Sequence, residues 1–503
     1  MRALEIVDDF LNNITMYRLL VYGLSGIAAV SIVFSLSGLL PLPTQSLLIS
    51  LGILVVAAFA TDSILGKIWH AVPNMESWLI TALILFLILP PPTGLTQYIG
   101  IAVAGVTALA SKYIVYRNNK HIFNPAASGA VAVGILELAH ATWWVGSMPL
   151  WPFTLILGLL VVRKIRRFKL LISLLTVSSL ITAATAYNSH ALTLAFMQSE
   201  VLASPLLFLG TIMLTEPATM PTKNWHLLIF GAIVGGLYSL HPQLPLLYVY
   251  PEVALLIGNL YAFLVSPKAN FNLRLLRREQ LSERVYNYVF QAEKHLHYLP
   301  GQYMEWTLAK VAYDGRGNRR TFTIASAPRE KEIMLGVKFY EPSSSFKRSL
   351  MSMQPGDYII AGQVAGNFTL PKNPKQKLLF VAGGVGITPF RSMLQQIILS
   401  REDRDIILFY LSSSRREIVY TDVLQQAQNR GVIIVPIVSN TTADGKRGSS
   451  ALTAELLGRY VKDIDKRKVY ISGPNAMVAK TSRLLASQGV RRSHIITDNF
   501  SGY

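Results

Sequence analysis

The sequence LFVAGGVGITP at residues 379–389 decides the fold of the C-terminal half. It joins an apolar strand to a glycine-rich turn, and a helical run from Phe390 to Leu399 follows directly. This order is typical of the first unit of a doubly wound, parallel α/β sheet. In such a unit glycines let the backbone approach a dinucleotide, and the diphosphate meets the start of the helix. The residues that we expect to bind the dinucleotide here are Gly383, Gly384, Gly386, Thr388 and Pro389.

The rest of residues 375–503 continues this alternation of strands and helices. Apolar strand runs occur at residues 378–382, 405–411, 433–438 and 468–472, with helical runs between them. We therefore predict a doubly wound α/β domain over residues 375–503. The last of these strands leads into Ser472, Gly473 and Pro474, which we expect at the carboxyl edge of the sheet, over the nicotinamide of a bound dinucleotide.

Residues 273–374 show short alternating strands separated by turn signals, the pattern of a small antiparallel β-barrel. Three side chains on one predicted strand suit a flavin dinucleotide. Arg320 offers a fork of donors for a diphosphate, Phe322 offers a flat face, and the hydroxyl of Thr323 could reach flavin N5. An ordinary alternating strand would also account for Phe322 and Thr323. We predict an FAD-binding β-barrel over residues 273–374.

Four strings of the C-terminal half, in their order and spacing, resemble the ferredoxin–NADP+ reductase family over nearly all of residues 273–503. They are PGQY with RTFTIAS (300–303 and 320–326), PSSSF (342–346), LFVAGGVGITP (379–389), and ISGPNAM with DNFSGY (471–477 and 498–503). The resemblance implies that FAD is bound by Tyr303, Arg320, Phe322, Thr323, Ser344 and Ser345, and the nicotinamide dinucleotide by the glycine turn with Gly473 and Pro474. It also implies hydride transfer beside Thr323, Ser472 and Phe500, with Tyr503 as a further aromatic against the flavin. The family often has Cys at the position of Ser472.

The choice between NADPH and NADH depends on the residues after the second strand of the parallel sheet. Ser413 and Arg415 follow that strand. Hydroxyl and guanidinium groups at this point suit a 2′-phosphate, whereas a carboxylate there would suit NADH. We therefore expect NADPH as the preferred substrate and keep NADH as the alternative.

The first 267 residues are much more apolar than the rest. They hold 12 of the 47 Lys and Arg residues and 9 of the 28 Asp and Glu residues, a net charge of +3 against +16 for residues 268–503. Their apolar runs predict a polytopic helical membrane domain over residues 1–267 with about ten spans. The predicted spans are roughly 17–40, 46–62, 77–91, 97–115, 126–142, 150–163, 168–187, 202–216, 225–240 and 250–266.

Lys and Arg occur in alternate connections between these spans, such as Lys67, Lys112–Lys120, Arg163–Lys169 and Lys223. The positive-inside rule then predicts that both termini and the reductase domains are cytoplasmic, at the plasma membrane of a prokaryotic cell. Membrane lipid is accordingly an expected partner.

Acidic side chains in or beside apolar runs are costly in a membrane and indicate function by default. The four candidates for an ion path are Asp62, Glu137, Glu216 and Glu252. Hydrogen bonding between helices and snorkelling to the interface are the alternatives that the sequence leaves open.

Ordered strings within residues 45–265 resemble one family of membrane proteins, which comprises the D-type component of the Rnf complex and the B-type component of the Na+-translocating NADH:quinone reductase. They are ESW (76–78), LPP (89–91), HIFNPAA (121–127), WWVG (143–146), VVRKIRR (161–167), MLTEPATMPT (213–222) and LLIGN (255–259). The resemblance implies a membrane flavin and ion-coupled electron transfer. The family's covalent FMN motif is missing from residues 188–200, so we expect no covalent FMN. A non-covalent FMN stays open, with Lys112, Asn124, Glu216 and Thr219 as its residues.

The chain contains no cysteine, which excludes thiolate-ligated iron–sulfur clusters, c-type haem attachment and disulfides. One alternative function joins the reductase to b-haems, as in ferric reductases and NADPH oxidases, which need paired histidines on one helix. Within or beside the predicted spans we find only His140, His70, His226 and His241. A second alternative is an ion transporter with a regulatory flavin domain. No metal site is expected. A nucleic-acid partner is not expected either, because no module of aromatic and basic residues is present.

These observations predict a membrane-bound, FAD-dependent NAD(P)H oxidoreductase. It would pass electrons from NAD(P)H through FAD to a membrane carrier, either a second flavin or a quinone, with ion translocation as an added property. A quinone or a redox partner protein is therefore the expected acceptor.

Overall fold

The computed structural model describes the chain except for residues 1–6, 9, 12–13, 70–74, 118–119, 245–246, 267–269, 294–295, 310, 312–317, 439–450 and 501–503. Two residues named above, Tyr503 and His70, lie outside the described residues. The chain divides into two compact units, Met1–Ala269 and Asn270–Tyr503. The first unit is mainly helical and the second contains two larger sheets.

Helices account for most of the first unit, which we call the helical unit. Its helices are α1 (Met16–Leu36), α2 (Thr44–Ile68), α3 (Met75–Ile88), α4 (Leu95–Ile114), α5 (Pro125–Ile135), α6 (Trp151–Ile165), α7 (Phe168–Asn188), α8 (Leu194–Leu202), α9 (Leu206–Phe208), α10 (Asn224–Leu240) and α11 (Pro251–Val265). A π-helical turn, Leu209–Met213, continues α9. Two short strand pairs, β1 (Tyr116–Arg117) with β2 (Lys120–His121) and β3 (Gln243–Leu244) with β4 (Leu247–Tyr248), lie between helices.

The prediction of about ten spans is wrong. Among the described residues, four helical segments are long and apolar enough to cross a membrane, namely Met16–Leu36, Thr44–Ile68, Met148–Ile165 and Phe168–Asn188. Other apolar helices are shorter, between 10 and 17 residues, whereas a straight span needs about 20. The four long helices indicate a membrane protein.

Burial within the helical unit explains why apolar sequence overestimated the spans. Every residue of Ile80–Leu89 is buried, so all sides of α3 are covered by protein. Its neighbours are α1, α2, α4 and α5. An apolar run in such a helix reflects packing against other helices, because a helix that is apolar all round is typical of any fully buried position. The predicted span 202–216 fails for another reason, since beyond Leu202, the last residue of α8, its helical segments are α9 and the π-helical turn.

The second unit begins with an antiparallel sheet of six strands, as predicted for the FAD-type domain, and we call residues 270–365 the barrel domain after that prediction. Its strands are β5 (Asn270–Ser282), β6 (Val285–Ala292), β7 (Tyr303–Thr307), β8 (Arg319–Thr323), β9 (Ile333–Lys338) and β10 (Tyr358–Ala365), in the order β8-β7-β10-β5-β6-β9. A helix, α12 (Ser345–Ser352), lies between β9 and β10 in the chain. Trp306, Phe290 and Phe346 are among the buried side chains of this sheet's core.

The second sheet is parallel, as the alternation of strands and helices predicted. Its strands are β11 (Leu378–Gly383), β12 (Ile406–Ser412), β13 (Ile433–Val438), β14 (Lys468–Pro474) and β15 (Ile495–Phe500), in the order β13-β12-β11-β14-β15. Its helices are α13 (Thr388–Ser400), α14 (Thr421–Gln428), α15 (Ala454–Tyr460) and α16 (Asn475–Ser487). Successive residues of β11 join different cores, because Phe380 packs with Phe390 of α13 while Val381 packs with Leu485 of α16. A sheet covered on both faces accounts for the unbroken apolar sequence of β11.

Candidate functional site

The turn between β11 and α13 is open to solvent or ligand at one glycine and closely packed at another. Gly384 has a φ of +54°, and a Cβ placed on it would meet nothing within 4 Å. A Cβ on Gly386 would lie 2.4 Å from the carbonyl oxygen of Ser472. Glycine at 386 therefore lets the end of β14 approach the turn, while the backbone at Gly384 stays accessible.

At the start of α13, the hydroxyl of Thr388 is bonded within the turn. The Thr388 side chain is buried and donates a hydrogen bond to Val385 O at 3.1 Å, so its hydroxyl closes the turn. Pro389 occupies the first turn of the helix, where it removes no helical hydrogen bond. The remaining N–H groups at this helix start are the donors that suit a diphosphate.

The carboxyl end of β14 carries a buried hydroxyl that has no partner among the described residues. Ser472 is fully buried beside Ala382 of β11, and its Oγ accepts and donates no hydrogen bond there. Gly473 and Pro474 continue the strand opposite Asn499 and Phe500 of β15. The sequence correctly placed Ser472, Gly473 and Pro474 at the edge where the glycine turn lies.

Strand β8 brings the predicted flavin residues to the barrel domain's edge. Thr323 is the register partner of Tyr303 on β7, and the Thr323 hydroxyl is buried with no hydrogen-bond partner among the described residues. Leaving a buried hydroxyl unpaired costs about 1–3 kcal/mol. The Thr323 and Ser472 hydroxyls therefore mark positions where a bound ligand would supply a missing partner.

Arg320 reaches the start of α12 through an aromatic ring. Its guanidinium carbon lies 5.3 Å from the ring centroid of Phe346, and Phe346 packs 5.9 Å from Phe322. Ser344 caps α12 by accepting from Lys347 N at 3.4 Å, and Ser345 is buried beside it. Arg320, Phe322, Ser344 and Ser345 thus form one cluster, as the flavin assignment requires.

Lys347 is a member of this cluster that sequence reasoning missed. Its side chain is 5% exposed, and its ammonium group donates to Lys338 O at 2.9 Å. Burial, and secondarily the charge of Arg320, lowers the pKa of Lys347 to about 8. A buried cation beside an arginine is a place where a diphosphate anion would be favourable, although a lysine in a short helix gives no such signal by itself.

Ser413 and Arg415 follow the end of β12, and the acidic residue Glu417 lies beside Ser413. Ser413 Oγ donates a hydrogen bond to Glu417, which also accepts from Lys338 Nζ at 3.0 Å. Partial burial acts to raise the pKa of Glu417, yet the bonds from Ser413 and Lys338 hold that pKa below its ordinary value. Arg415 is exposed. Sequence reasoning overlooked Glu417, although it stands four residues after Ser413.

A second polar cluster lies in the helical unit around Glu216. Glu216 accepts from Asn124 Nδ2 at 2.9 Å and from Thr219 Oγ1 at 3.2 Å, and its other oxygen lies 2.9 Å from His121 Nε2. Asn259 Oδ1 accepts from Asn124 N at 2.9 Å. Three of the predicted membrane-site residues are therefore in contact, and His121 and Asn259 belong with them.

The other predicted membrane residues make further polar contacts. Lys112 donates to Ser77 Oγ at 2.9 Å and is 4.0 Å from Asp62, which also accepts from Tyr113 at 3.0 Å. Glu252 is buried and accepts from Trp143 Nε1 at 2.8 Å. Glu137 is exposed in the turn that ends α5. Among the described residues, no group of three His, Cys, Asp or Glu could hold a metal ion.

The comparison with protein families agrees with this geometry. The oxidoreductase NAD-binding domain family matches residues 380–483, which contain the glycine turn, β12 and β14. This match lies within the parallel-sheet part of the second unit, and it includes neither the antiparallel sheet nor the helical unit.

Known relatives match the C-terminal half. The F-type component of the Na(+)-translocating NADH-quinone reductase of Idiomarina loihiensis is 28% identical over 200 residues, 36% of this chain and 49% of the relative. The reductase component of propane 2-monooxygenase from Rhodococcus jostii is 26% identical over 213 residues, 40% of this chain and 55% of the relative. The chain spans about half the length of the curated relatives it matches.

A solved structure also matches this half. The FAD/NAD-binding domain of nitric oxide dioxygenase from Vibrio cholerae is 20% identical, with a TM-score of 0.40. The match covers 46% of this chain and 98% of that domain.

Proposed function

We propose that this chain, an FAD- and NAD(P)-binding oxidoreductase, oxidises NAD(P)H in its second unit and delivers the electrons to a carrier in the membrane. The observation that carries the proposal is the glycine turn, where the open backbone of Gly384 lies at the same edge of the parallel sheet as buried Ser472, whose hydroxyl has no hydrogen-bond partner among the described residues. Ligands of open α/β sheets bind at the carboxyl ends of the strands. FAD, when bound, supplies the conversion between hydride transfer and single-electron transfer.

The proposed roles of the chain's own residues follow from their positions. Arg320 and the start of α12 bind the FAD diphosphate, and Thr323 orients the flavin through the hydrogen bond that its hydroxyl lacks in the described residues. The glycine turn and the start of α13 bind the dinucleotide diphosphate. Ser472 and Pro474 orient the nicotinamide, and Phe500, which ends β15 opposite Pro474, completes that edge.

We propose that the helical unit anchors the chain in the membrane and that electrons leave FAD for a carrier in this unit. Four helices of spanning length and the ordered strings that resemble the Rnf family support this role. The name of one relative of the second unit includes NADH-quinone reductase, which supports a quinone as acceptor. A non-covalent FMN near Asn124, Glu216 and Thr219 is the other carrier that we propose, and the basic loops support a cytoplasmic location of the second unit.

The first test is a cofactor extraction from full-length protein purified in detergent. Released FAD and FMN are quantified against protein, and NADH and NADPH oxidation is then measured with ferricyanide and with a soluble quinone. We expect one FAD per chain, hydride-driven bleaching of the flavin spectrum, and turnover with the quinone. Absence of FAD, or flavin that neither nucleotide reduces, would refute the proposal.

A second measurement separates the two carriers and the ion path. FMN released together with FAD would place a flavin in the helical unit, and FAD alone with quinone turnover would leave quinone as the direct acceptor. Reconstituted vesicles report whether this turnover moves Na+ or H+, the role proposed for Asp62, Glu216 and Glu252. Ion flux without NAD(P)H would instead favour a transporter.

A further inference from the structure

A bidentate ion pair connects the barrel domain to the helix that follows the glycine turn. Arg391 of α13 is 6% exposed, and its two terminal nitrogens donate to the two carboxylate oxygens of Glu330, with Nη2 to Oε1 at 2.9 Å. Glu330 lies in the loop between β8 and β9. The pair therefore joins the two sheets of the second unit through planar, fork-like geometry.

The same loop has further hydrogen bonds to α13. Arg391 Nη1 donates to Ala325 O at 3.1 Å, and Ser392 Oγ donates to Ser326 O at 2.6 Å. Glu330 also accepts from Ala327 N, so the carboxylate holds its own loop in place. The loop is thus bonded to two consecutive residues of the helix.

The loop's position makes these contacts relevant to the chemistry. Ala325 lies two residues after Thr323, a distance of about 7 Å along an extended chain. Arg391 lies three residues after Thr388, about 4.5 Å along a helix. The pair consequently bridges the strand proposed to hold flavin and the helix proposed to hold the dinucleotide, by the short path Thr323, Ala325, Arg391 and Thr388.

We propose that Arg391 and Glu330 are positioning residues that set the spacing between the flavin on β8 and the nicotinamide at the glycine turn. The inference rests on the proposed function. Hydride transfer requires close and well-oriented partners, and a displacement of about 1 Å can slow a reaction by about 100-fold. Arg391 bonds to the backbone of Ala325, whereas the residues assigned to FAD on this strand are Arg320, Phe322 and Thr323. Loss of the pair is therefore expected to change the transfer rate while binding of each ligand is retained.

The test uses full-length protein with Arg391→Lys, which keeps the charge but loses the fork, and Glu330→Gln, which keeps the shape but loses the charge. Stopped-flow measurement gives the rate of flavin reduction and its isotope effect with C4-deuterated NADH. We expect reduction at least about 10-fold slower, an altered isotope effect, full FAD content and a dissociation constant for NAD(P)H within about two-fold of wild type. The double variant Glu330→Arg with Arg391→Glu is expected to recover part of the rate.

A matched control is present at the opposite edge of the parallel sheet. Arg467 is 5% exposed and donates to both oxygens of Asp405, at 2.8 and 3.2 Å. Because this pair precedes β14 and β12, Arg467→Lys is expected to lower the melting temperature without changing the reduction rate or the isotope effect. Thermal melts of all variants show whether Arg391→Lys is destabilised to a similar extent.

Four outcomes would overturn the inference. Arg391→Lys that behaves like Arg467→Lys would make the pair purely structural, and loss of FAD or of NAD(P)H affinity would make Arg391 a binding residue instead. Wild-type flavin that NAD(P)H does not reduce would refute the proposed function, and the positioning role with it. Normal wild-type reduction with unchanged variants would refute the positioning role alone.

Discussion

The hydroxyl of Ser413 donates to the carboxylate of Glu417, which in turn accepts from Lys338 on the neighbouring barrel domain. Ser413 was expected to bind a 2′-phosphate with Arg415. Its hydroxyl is instead directed to an anion whose pKa stays below the ordinary glutamate value, despite partial burial, because Ser413 and Lys338 donate to it. A carboxylate at this strand end is the group that suits a ribose diol and opposes a 2′-phosphate.

Removing that carboxylate is expected to favour NADPH. Glu417→Ala should raise kcat/KM for NADPH relative to NADH by roughly 10-fold, the effect of one partly screened charge. Arg415→Ala should act in the opposite direction, by raising KM for NADPH more than for NADH. Initial rates with both nucleotides check the two variants. Arg416→Ala, a neighbouring exposed cation, is the control, and an equal effect of Arg415 and Arg416 would contradict a specific 2′-phosphate contact.

Arg320 is expected to be required for FAD. Hydrogen bonds to charged groups are worth about 1.5–3 kcal/mol, so Arg320→Ala should weaken FAD binding by roughly 10- to 100-fold. The flavin-to-protein ratio of detergent-purified protein measures this loss, and an unchanged elution profile shows that the helical unit stays folded. Arg319→Ala removes an arginine that pairs with Glu305 at 3.5 Å, and it should keep its FAD. Full flavin content in Arg320→Ala would refute the assignment.

Removal of the buried Ser472 hydroxyl should raise the stability of the protein and lower its activity. Ser472→Ala removes a buried hydroxyl that has no hydrogen-bond partner in the described part of the chain. The ligand-free protein should therefore gain about 1 kcal/mol of unfolding free energy, or a few degrees in Tm. The rate of flavin reduction should fall, because the hydroxyl no longer orients the nicotinamide. Ser412 is the matched control, since its buried hydroxyl donates to Ser414 O at 3.0 Å. Ser412→Ala should lose stability, and a similar loss in Ser472→Ala would indicate that its hydroxyl is already paired.

Lys347 is expected to make the free energy of unfolding depend on pH in the alkaline range. Burial and then Arg320 lower its pKa from 10.5 to about 8 in the folded protein. Between these values the unfolded chain binds more protons than the folded one, so the contribution of Lys347 rises as pH increases through this window. Thermal melts of FAD-free wild type and Lys347→Met, from pH 7.5 to 10.5, should show a difference that changes in favour of wild type. A difference that is independent of pH, or the same with saturating FAD, would contradict this role.

Local sequence was sufficient for the sheets but not for the helical unit. The apolar run at β11, the glycine turn and the amino end of α13 are neighbours in the chain, and their order alone implied a parallel sheet. The apolar run of α3 was equally clear, yet it did not distinguish burial by other helices from exposure to lipid. Only the packing around Ile80–Leu89 makes that distinction.

The candidate site divides in the same way. The sequence predicted Arg320, Phe322, Thr323 and Ser472 as site residues because their strings occur on predicted strand ends and turns. It missed Lys347 and Glu417, whose significance depends on a neighbour in space. Burial of a lysine beside Arg320 and the approach of Lys338 to Glu417 have no signature in local composition.

By itself, the sequence determined the two-part organisation, the antiparallel and parallel sheets, and the glycine turn, because these depend on periodicity and on glycines at adjacent positions. Tertiary structure alone decided which charges meet. Glu330 and Arg391 are 61 residues apart in the chain, and His121 and Glu216 are 95 apart. Such pairs form only after strands and helices pack, since a side chain's partner is set by the geometry of the fold and not by its sequence neighbours.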